Sequence, residues 1–175
     1  GKSSFLSRIL TEFPILFDTT TFTTREMRSG ESDGNPYYFV SKDRFQELVR
    51  QGFFVEWAQV HENLYGTPLH QIEAAHVAGR VVIMDLDVKG GATFKQKYPE
   101  AVSIFILPPS IEELKRRILS RDKKPPADLE TRLLNAKIEM DQSAKSDYQL
   151  VNDNFDKSYA EFKKLIEDLL GNRVG

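Results

Sequence analysis

The chain has no cysteine. Disulfides and thiolate metal sites are therefore excluded, and the composition suits a cytoplasmic protein, the expected location. No apolar run approaches the ~20 residues that a bilayer-spanning helix needs, so no membrane segment is expected. A basic excess is also missing: 24 Lys and Arg stand against 26 Asp and Glu, for a net charge of -2. That balance argues against a general nucleic-acid binder. The three histidines, His61, His70 and His76, have no ligand-like spacing and read as surface or loop residues. No internal repeat, low-complexity tract or signal peptide is read. What is present is 175 residues with 40% hydrophobic content. That is enough to bury one core, with small inserted lobes at most.

The most informative stretch runs from Thr21 to Tyr38. Arg25 and Arg28 lie close together, beside hydroxyls at Thr21, Thr23 and Thr24, and Tyr37 and Tyr38 close the segment. Arginine offers a planar fork of donors that matches phosphate or carboxylate geometry, and hydroxyls and phenols add short directional donors. The segment reads as a seat for a small doubly charged anion such as a nucleoside monophosphate. A polar surface loop with two solvated arginines is the alternative.

Gly1-Lys2-Ser3-Ser4 opens the chain, followed by Phe5, Leu6, Ile9 and Leu10 at helical spacing. Gly-Lys-Ser before a helix is the second half of the phosphate-binding loop G-x-x-x-x-G-K-[ST]. Backbone N–H groups at a helix start cradle phosphate oxygens. Lys2 is expected to reach the β and γ phosphates of ATP, and Ser3 to bind magnesium. An ordinary helix start is the alternative. The loop's earlier glycines and its leading strand are expected to lie N-terminal to the given chain.

Ile15 to Thr24 is rich in β-branched residues and predicts one strand. Ser41 predicts a capped helix over Lys42 to Gln51, with Phe45, Leu48 and Val49 on one face and Gly52 as its stop. Phe53 to Val60 predicts a strand in which Glu56 is anomalous, a carboxylate amid Phe, Val and Trp. Glu56 either faces water on an edge strand or is buried toward a ligand. A carboxylate accepts two hydrogen bonds from N1–H and the 2-amino group of guanine, which adenine cannot supply. His61 to Pro68 reads as a loop, and Pro68 to Ala78 as a helix stopped by Gly79. The run Val81 to Asp87 predicts a buried parallel strand ending at Asp85 and Asp87, a Walker B strand with Asp85 near the magnesium waters; a strand that simply ends in polar turn residues is the alternative.

Farther on, Val102 to Leu107 predicts another buried strand. Ser110 and Glu113 form a capping box before a helix whose core stripe is Ile111, Leu114 and Ile118. Ser120 to Pro126 is a basic, helix-breaking segment that reads as a lid over phosphates or as a solvated loop. Asp128 is expected to cap a helix with Leu129, Leu133, Ala136 and Met140 on one side and Arg132 on another. Tyr148 to Val151 predicts a short strand, and Tyr159, Phe162, Ile166 and Leu169 the stripe of a terminal helix. Strands alternating with helices predict an α/β fold around a parallel sheet.

Taken together, these residues make the chain resemble the guanylate kinases. The matches are Gly1-Lys2-Ser3, Thr23-Thr24-Arg25 with Arg28, Gly30-Glu31, Asp33-Gly34, Tyr37, Phe39-Val40-Ser41, Glu56-Trp57-Ala58, Tyr65-Gly66-Thr67 and Asp85-Leu86-Asp87 with Gly90. They continue through Phe105 to Ser110, Arg132-Leu133, Asn135-Ala136 and Val151-Asn152-Asp153, in order and spacing along essentially the whole chain.

The resemblance implies a P-loop core of residues 1–14 and 79–175, with a lid at about 120–130. An inserted mixed α+β lobe of residues 15–78 would bind GMP. It implies magnesium-dependent phosphoryl transfer from ATP to GMP, with ATP and GMP as the only partners, in a monomer or homodimer. Gly1, Lys2, Ser3, Ser4 and, near adenine, Asn152 would hold ATP; Lys2, Arg121 and Arg132 would act on the transferring phosphoryl group. Arg25, Arg28, Tyr37 and Tyr65 would grip the GMP phosphate, and Thr21, Glu56, Thr67 and Asp87 would read guanine and its surroundings. The chain departs from the family pattern at Thr21, Phe22, Glu62 and Lys89, and in Ser120-Arg121-Asp122 in place of a glycine-flanked arginine. A non-catalytic, partner-binding module of the same fold is the alternative; it usually lacks the Gly-Lys-Ser element and the ATP-site arginines that this chain keeps.

Overall fold

A computed structural model describes residues 2–121 and 129–171, with only the backbone at position 121. The expected cap at Asp128 and most of the expected lid lie outside the described residues. The chain forms two compact units, one of Leu6–Ala101 and one of Gly1–Phe5 with Val102–Gly175. Helices and strands alternate in an α/β fold, and both units contain parallel strand pairing. No helix among the described residues is long and apolar enough to cross a membrane.

Helix α1 (Lys2–Glu12) starts where the Gly-Lys-Ser motif predicts, with Phe5, Leu6 and Ile9 buried. The expected single strand over 15–24 is two, β1 (Leu16–Phe17) and β2 (Phe22–Thr23), and they belong to different sheets. β-Branched composition signals extended backbone but does not choose a partner strand. β1 pairs in parallel with β6 (Val81–Val82), Leu16 opposite Val81. Arg80 ties the pair together: it donates to the Leu16 carbonyl and its guanidinium lies 5.0 Å from the Phe17 ring centre. The predicted Walker B strand is thus only two residues long, and its run is half-buried rather than buried. A ladder extends only as far as its partner, and β1 is equally short.

The second sheet of this unit has the order β3-β2-β5-β4, with β3 (Tyr38–Phe39), β4 (Phe54–Val60) and β5 (Asn63–Pro68). The expected loop over 61–68 is mostly strand β5, joined to β4 by a two-residue turn at His61 and Glu62. His61 takes the left-handed conformation such a tight hairpin demands. Helix α2 (Lys42–Arg50) follows prediction: the Ser41 hydroxyl accepts from Arg44 N, and Gly52 has φ +67°. Its Phe45 and Leu48 bury against Phe54, with Phe22, Val40, Phe53 and Leu64 around them. Helix α3 (Leu69–Val77) follows β5, with Pro68 as its N-cap. The pattern gave no sign of α4 (Val88–Lys97), whose first turn contains two glycines that weaken helix propensity.

In the other unit, β7 (Ile104–Leu107) pairs in parallel with β8 (Tyr148–Val151), Ile104 opposite Tyr148. Helix α5 (Ile111–Arg121) begins with half of the expected capping box. Ser110 Oγ accepts from Glu113 N at 3.1 Å, but the Glu113 carboxylate turns to Arg116 and Arg117 instead of back to the cap. Helix α6 (Leu129–Gln142) buries Leu133, with Ala136 and Met140 half-buried. Helix α7 (Phe155–Gly171) buries Tyr159, Phe162 and Ile166 as predicted, and Phe5 meets the Phe155 and Phe162 rings edge-on.

Gly66 of β5 shows how tightly the four-stranded sheet is packed. A Cβ there would stand 2.9 Å from the Phe54 ring and 3.0 Å from that of Phe45, both rigid and fully enclosed. Gly66→Ala is expected to destabilise the protein by roughly 1–3 kcal/mol, because overpacking forces ring and backbone shifts. Urea titration with an unchanged midpoint would refute that packing argument.

Candidate functional site

Glu56 settles the question its position raised. β4 is an edge strand, yet Glu56 is only 4% exposed, while its neighbour Trp57 is 46% exposed. An irregular register between Phe54 and Glu56 turns Phe54, Val55 and Glu56 all inward. A bulge of this kind reverses the alternation that a regular strand imposes. Thr67 on the paired strand donates its hydroxyl to Glu56 Oε1 at 2.5 Å. Burial is the main cause raising the Glu56 pKa; the Thr67 hydroxyl opposes it, and the Asp87 charge adds to it. A cavity of about 250 Å³ opens beside Glu56, lined also by Trp57, Thr93 and Lys97.

Asp87 caps α4, its Oδ1 accepting from Gly90 N at 2.7 Å. Three of the residues expected around guanine, Glu56, Thr67 and Asp87, are thereby brought together. Thr21 is half-buried at the entry to β2, and its carbonyl accepts from Tyr38 N.

Three of the residues expected to grip a phosphate, Arg25, Tyr37 and Tyr65, also lie together. The Arg25 guanidinium lies 5.3 Å from the Tyr37 ring centre and 5.5 Å from that of Phe39. The Tyr37 and Tyr65 rings meet edge-on, with centres 5.8 Å apart. Glu31 organises Arg25: both its oxygens accept from Arg25 Nη2, at 2.8 and 3.0 Å, and Oε2 also accepts from Arg28 N. This partnership holds the Glu31 carboxyl below its ordinary value and raises the Arg25 pKa. The Arg28 side chain is exposed at the rim. Of the neighbouring threonine hydroxyls, that of Thr23 donates within the fold and that of Thr24 accepts. Their hydroxyls bond Leu64 O and Leu64 N, which ties β2 to β5.

Asp85 is exposed in the segment after β6. Sequence reasoning missed its companion, Asp18, at the end of β1. Burial, then the Asp85 charge, pushes the Asp18 carboxyl from 3.8 to about 7. The signal was present: an acidic residue interrupts an apolar run at the end of a strand that pairs with the Walker B strand. Glu31 and Arg117 were likewise given no role.

In the other unit, Lys2, Ser3 and Ser4 are exposed in the first turn of α1. Arg132 is half-buried on α6. Asn152 is buried, at 7% exposure, with its N–H on Leu107 O and its carbonyl held by Arg117 Nη1 at 2.8 Å. Of Arg121 only its place at the end of α5 is described, and Gly1 lies outside the described residues. Among the described residues no three His, Asp or Glu side chains gather as a metal site, and the three histidines are exposed.

The fold defines an α/β protein with a four-stranded mixed sheet inserted beside a parallel strand pair. A solved guanylate kinase from Anaplasma phagocytophilum superimposes with a TM-score of 0.78 at 32% identity, covering 97% of this chain and 81% of that one. The guanylate kinase family model matches residues 1–169. A guanylate kinase of Bdellovibrio bacteriovorus is 54% identical over 170 residues, spanning 97% of this chain and 92% of that protein. One of Geobacter metallireducens is 39% identical, spanning 95% and 82%. The chain belongs to the guanylate kinase family, a family of enzymes.

The displaced Asp18 carboxyl has a measurable consequence. Below pH 4 it is protonated in both folded and unfolded chains, and its burial is uncharged. As pH rises toward 7 the unfolded chain loses the proton and the folded one keeps it, so stability falls by up to about 1.4 kcal/mol per pH unit. Above about 7 both are ionised and the loss is constant. Asp18→Asn removes this penalty. Its stability advantage over the parent, in metal-free buffer, should grow from pH 4 to pH 7 and then level off; a difference independent of pH would contradict the burial of Asp18.

Proposed function

We propose that this chain transfers the γ-phosphoryl group of ATP to GMP with magnesium, giving ADP and GDP. The single observation that carries the choice of acceptor is the buried Glu56 carboxylate, held by Thr67 beside Asp87. An acceptor-only group in that setting suits guanine, whose N1–H and 2-amino group are both donors. Adenine lacks both of those donors and leaves the carboxylate with fewer partners, which is costly in a buried site. The relatives' shared name and the retained Lys2, Ser3 and Arg132 favour the catalytic reading over the partner-binding module.

Phosphoryl transfer needs alignment and charge neutralisation more than covalent help. Arg25, Tyr37 and Tyr65 would orient the GMP phosphate, with Arg28 adding charge from the rim. Glu31 would keep the Arg25 fork in one orientation while the remaining guanidinium N–H groups face the phosphate. The first-turn N–H groups of α1 with Lys2 would hold the ATP phosphates, because a helix start leaves its N–H groups available. Arg121 and Arg132 would neutralise charge on the phosphoryl group in flight. Residues 15–78 would form the GMP lobe and the rest the ATP core, closing to exclude water.

Magnesium fits the chemistry of the donors. Asp85 and Asp18 are oxygen donors whose mutual repulsion a divalent cation would relieve. Few protein ligands suit magnesium, which keeps waters and substrate phosphates around it. When bound it would neutralise charge on the transferring phosphate. The absence of cysteine supports a cytoplasmic location.

An assay of ADP release with ATP-magnesium and GMP, AMP, UMP or dTMP in turn is expected to show turnover with GMP alone; equal turnover with AMP would overturn the reading. Glu56→Gln is expected to raise the KM for GMP roughly tenfold to hundredfold, the worth of hydrogen bonds to a charged group, and to leave that for ATP within twofold. Lys2→Ala is expected to lower kcat by about a hundredfold or more in a folded protein. An unchanged kcat would remove Lys2 from the phosphate site.

A further inference from the structure

Two glycines occupy the first turn of α4, and their surroundings differ. Around Gly91 nothing lies within 4 Å of where a Cβ would be. At Gly90 a Cβ would stand 2.7 Å from Glu56 Oε2 and 2.9 Å from Asp87 Oδ1. Gly90 is buried, and its N–H is the one that Asp87 caps. No real Cβ tolerates either distance, so the two carboxylates reach their places only because position 90 has no side chain.

The two contacts act on one another. Glu56 Oε1 is held from the strand side by Thr67, which leaves Oε2 as the oxygen that lies over Gly90. Asp87 cannot retreat without giving up the α4 cap. An added methyl would therefore swing the Glu56 carboxylate away from both its Thr67 partner and the start of α4. Here a helix start also favours nearby negative charge, which offsets part of the repulsion between the two carboxylates.

We propose that Gly90 is a positioning residue for nucleobase recognition: its missing side chain sets the approach of the Glu56 and Asp87 carboxylates, and so decides how well the site distinguishes guanine from a base lacking the 2-amino group. This rests on the reading of Glu56 as the guanine acceptor. Glycine in a helix is ordinarily a weakness that alanine repairs. Gly91 fits that rule and Gly90 breaks it.

The test is steady-state kinetics with GMP and with inosine monophosphate, which keeps N1–H and lacks the 2-amino group. Gly90→Ala is expected to raise the KM for GMP at least tenfold. Its kcat at saturating GMP should change less than threefold, and the KM for ATP less than twofold. The preference for GMP over inosine monophosphate in kcat/KM should shrink at least fivefold. Gly91→Ala is expected to match the parent in all of these and not to lower Tm. Adding Glu56→Asp to Gly90→Ala shortens the carboxylate by one methylene, frees the space and is expected to recover part of the GMP affinity.

A GMP KM and base preference within twofold of the parent in Gly90→Ala would overturn the proposal. So would losses in the double variant that simply multiply those of the two single ones. If Gly90→Ala does not fold, the double variant is expected to fold, and its failure to do so would also overturn it. Glu56→Gln separates the two levels. If that variant raises the GMP KM while Gly90→Ala does not, only the role of Gly90 falls. If Glu56→Gln leaves GMP binding unchanged, the guanine reading itself falls and the proposal with it.

Discussion

A carboxylate held inside an edge strand governs the lobe built from Leu6 to Ala101. Glu56 is surrounded by Phe54, Val55 and the start of α4, where an unpaired charge is expensive. Its presence is made tolerable by the Thr67 hydroxyl and by the open cavity beside it. The irregular register that turns it inward also turns Trp57 outward. It draws α4 in close enough that glycine is the one residue position 90 accepts without displacement. One buried charge thus sets the strand register, the residue across the hairpin and the start of the next helix.

The cluster around Arg25 is built on a different principle. Arg25 is held from two sides at once, by hydrogen bonds to the Glu31 carboxylate and by the nearby Tyr37 and Phe39 rings. A guanidinium flanked by rings and hydrogen-bonded in this way loses little further freedom on meeting an anion, which is the gain that preorganisation brings. Thr23 and Thr24 serve the same end from behind, locking β2 to β5 so that Tyr65 and Tyr37 meet.

Much of this was legible beforehand. The helix over 42–50 was readable because Ser41, the Phe45–Leu48 face and Gly52 all signal the same element. The clustering of Arg25 with Tyr37 and Tyr65, and of Glu56 with Thr67, agrees with the groups into which the resemblance sorted them. Other features were not legible. Helix α4 was hidden by its paired glycines, and the break in the run 15–24 by composition that favours extended backbone on both sides of it. Glu31 looked like one more surface acid because its role depends on a partner six residues away across a turn. Asp18 looked like a strand-end polar residue until pairing with β6 set it near Asp85.

The sequence by itself determined the family, the α/β class and the identity of the groups available for chemistry. Those properties depend on residue types and their spacing along the chain, which the sequence states directly. Tertiary structure alone decided which of those groups face one another: whether Glu56 points to water or to the interior, which threonine hydroxyls are engaged within the fold, and which of two adjacent glycines has no free space for a side chain. Such choices rest on contacts between segments distant in the chain. Strand register and close approach are set there by packing as a whole, and local propensity carries no information about the other side of the contact.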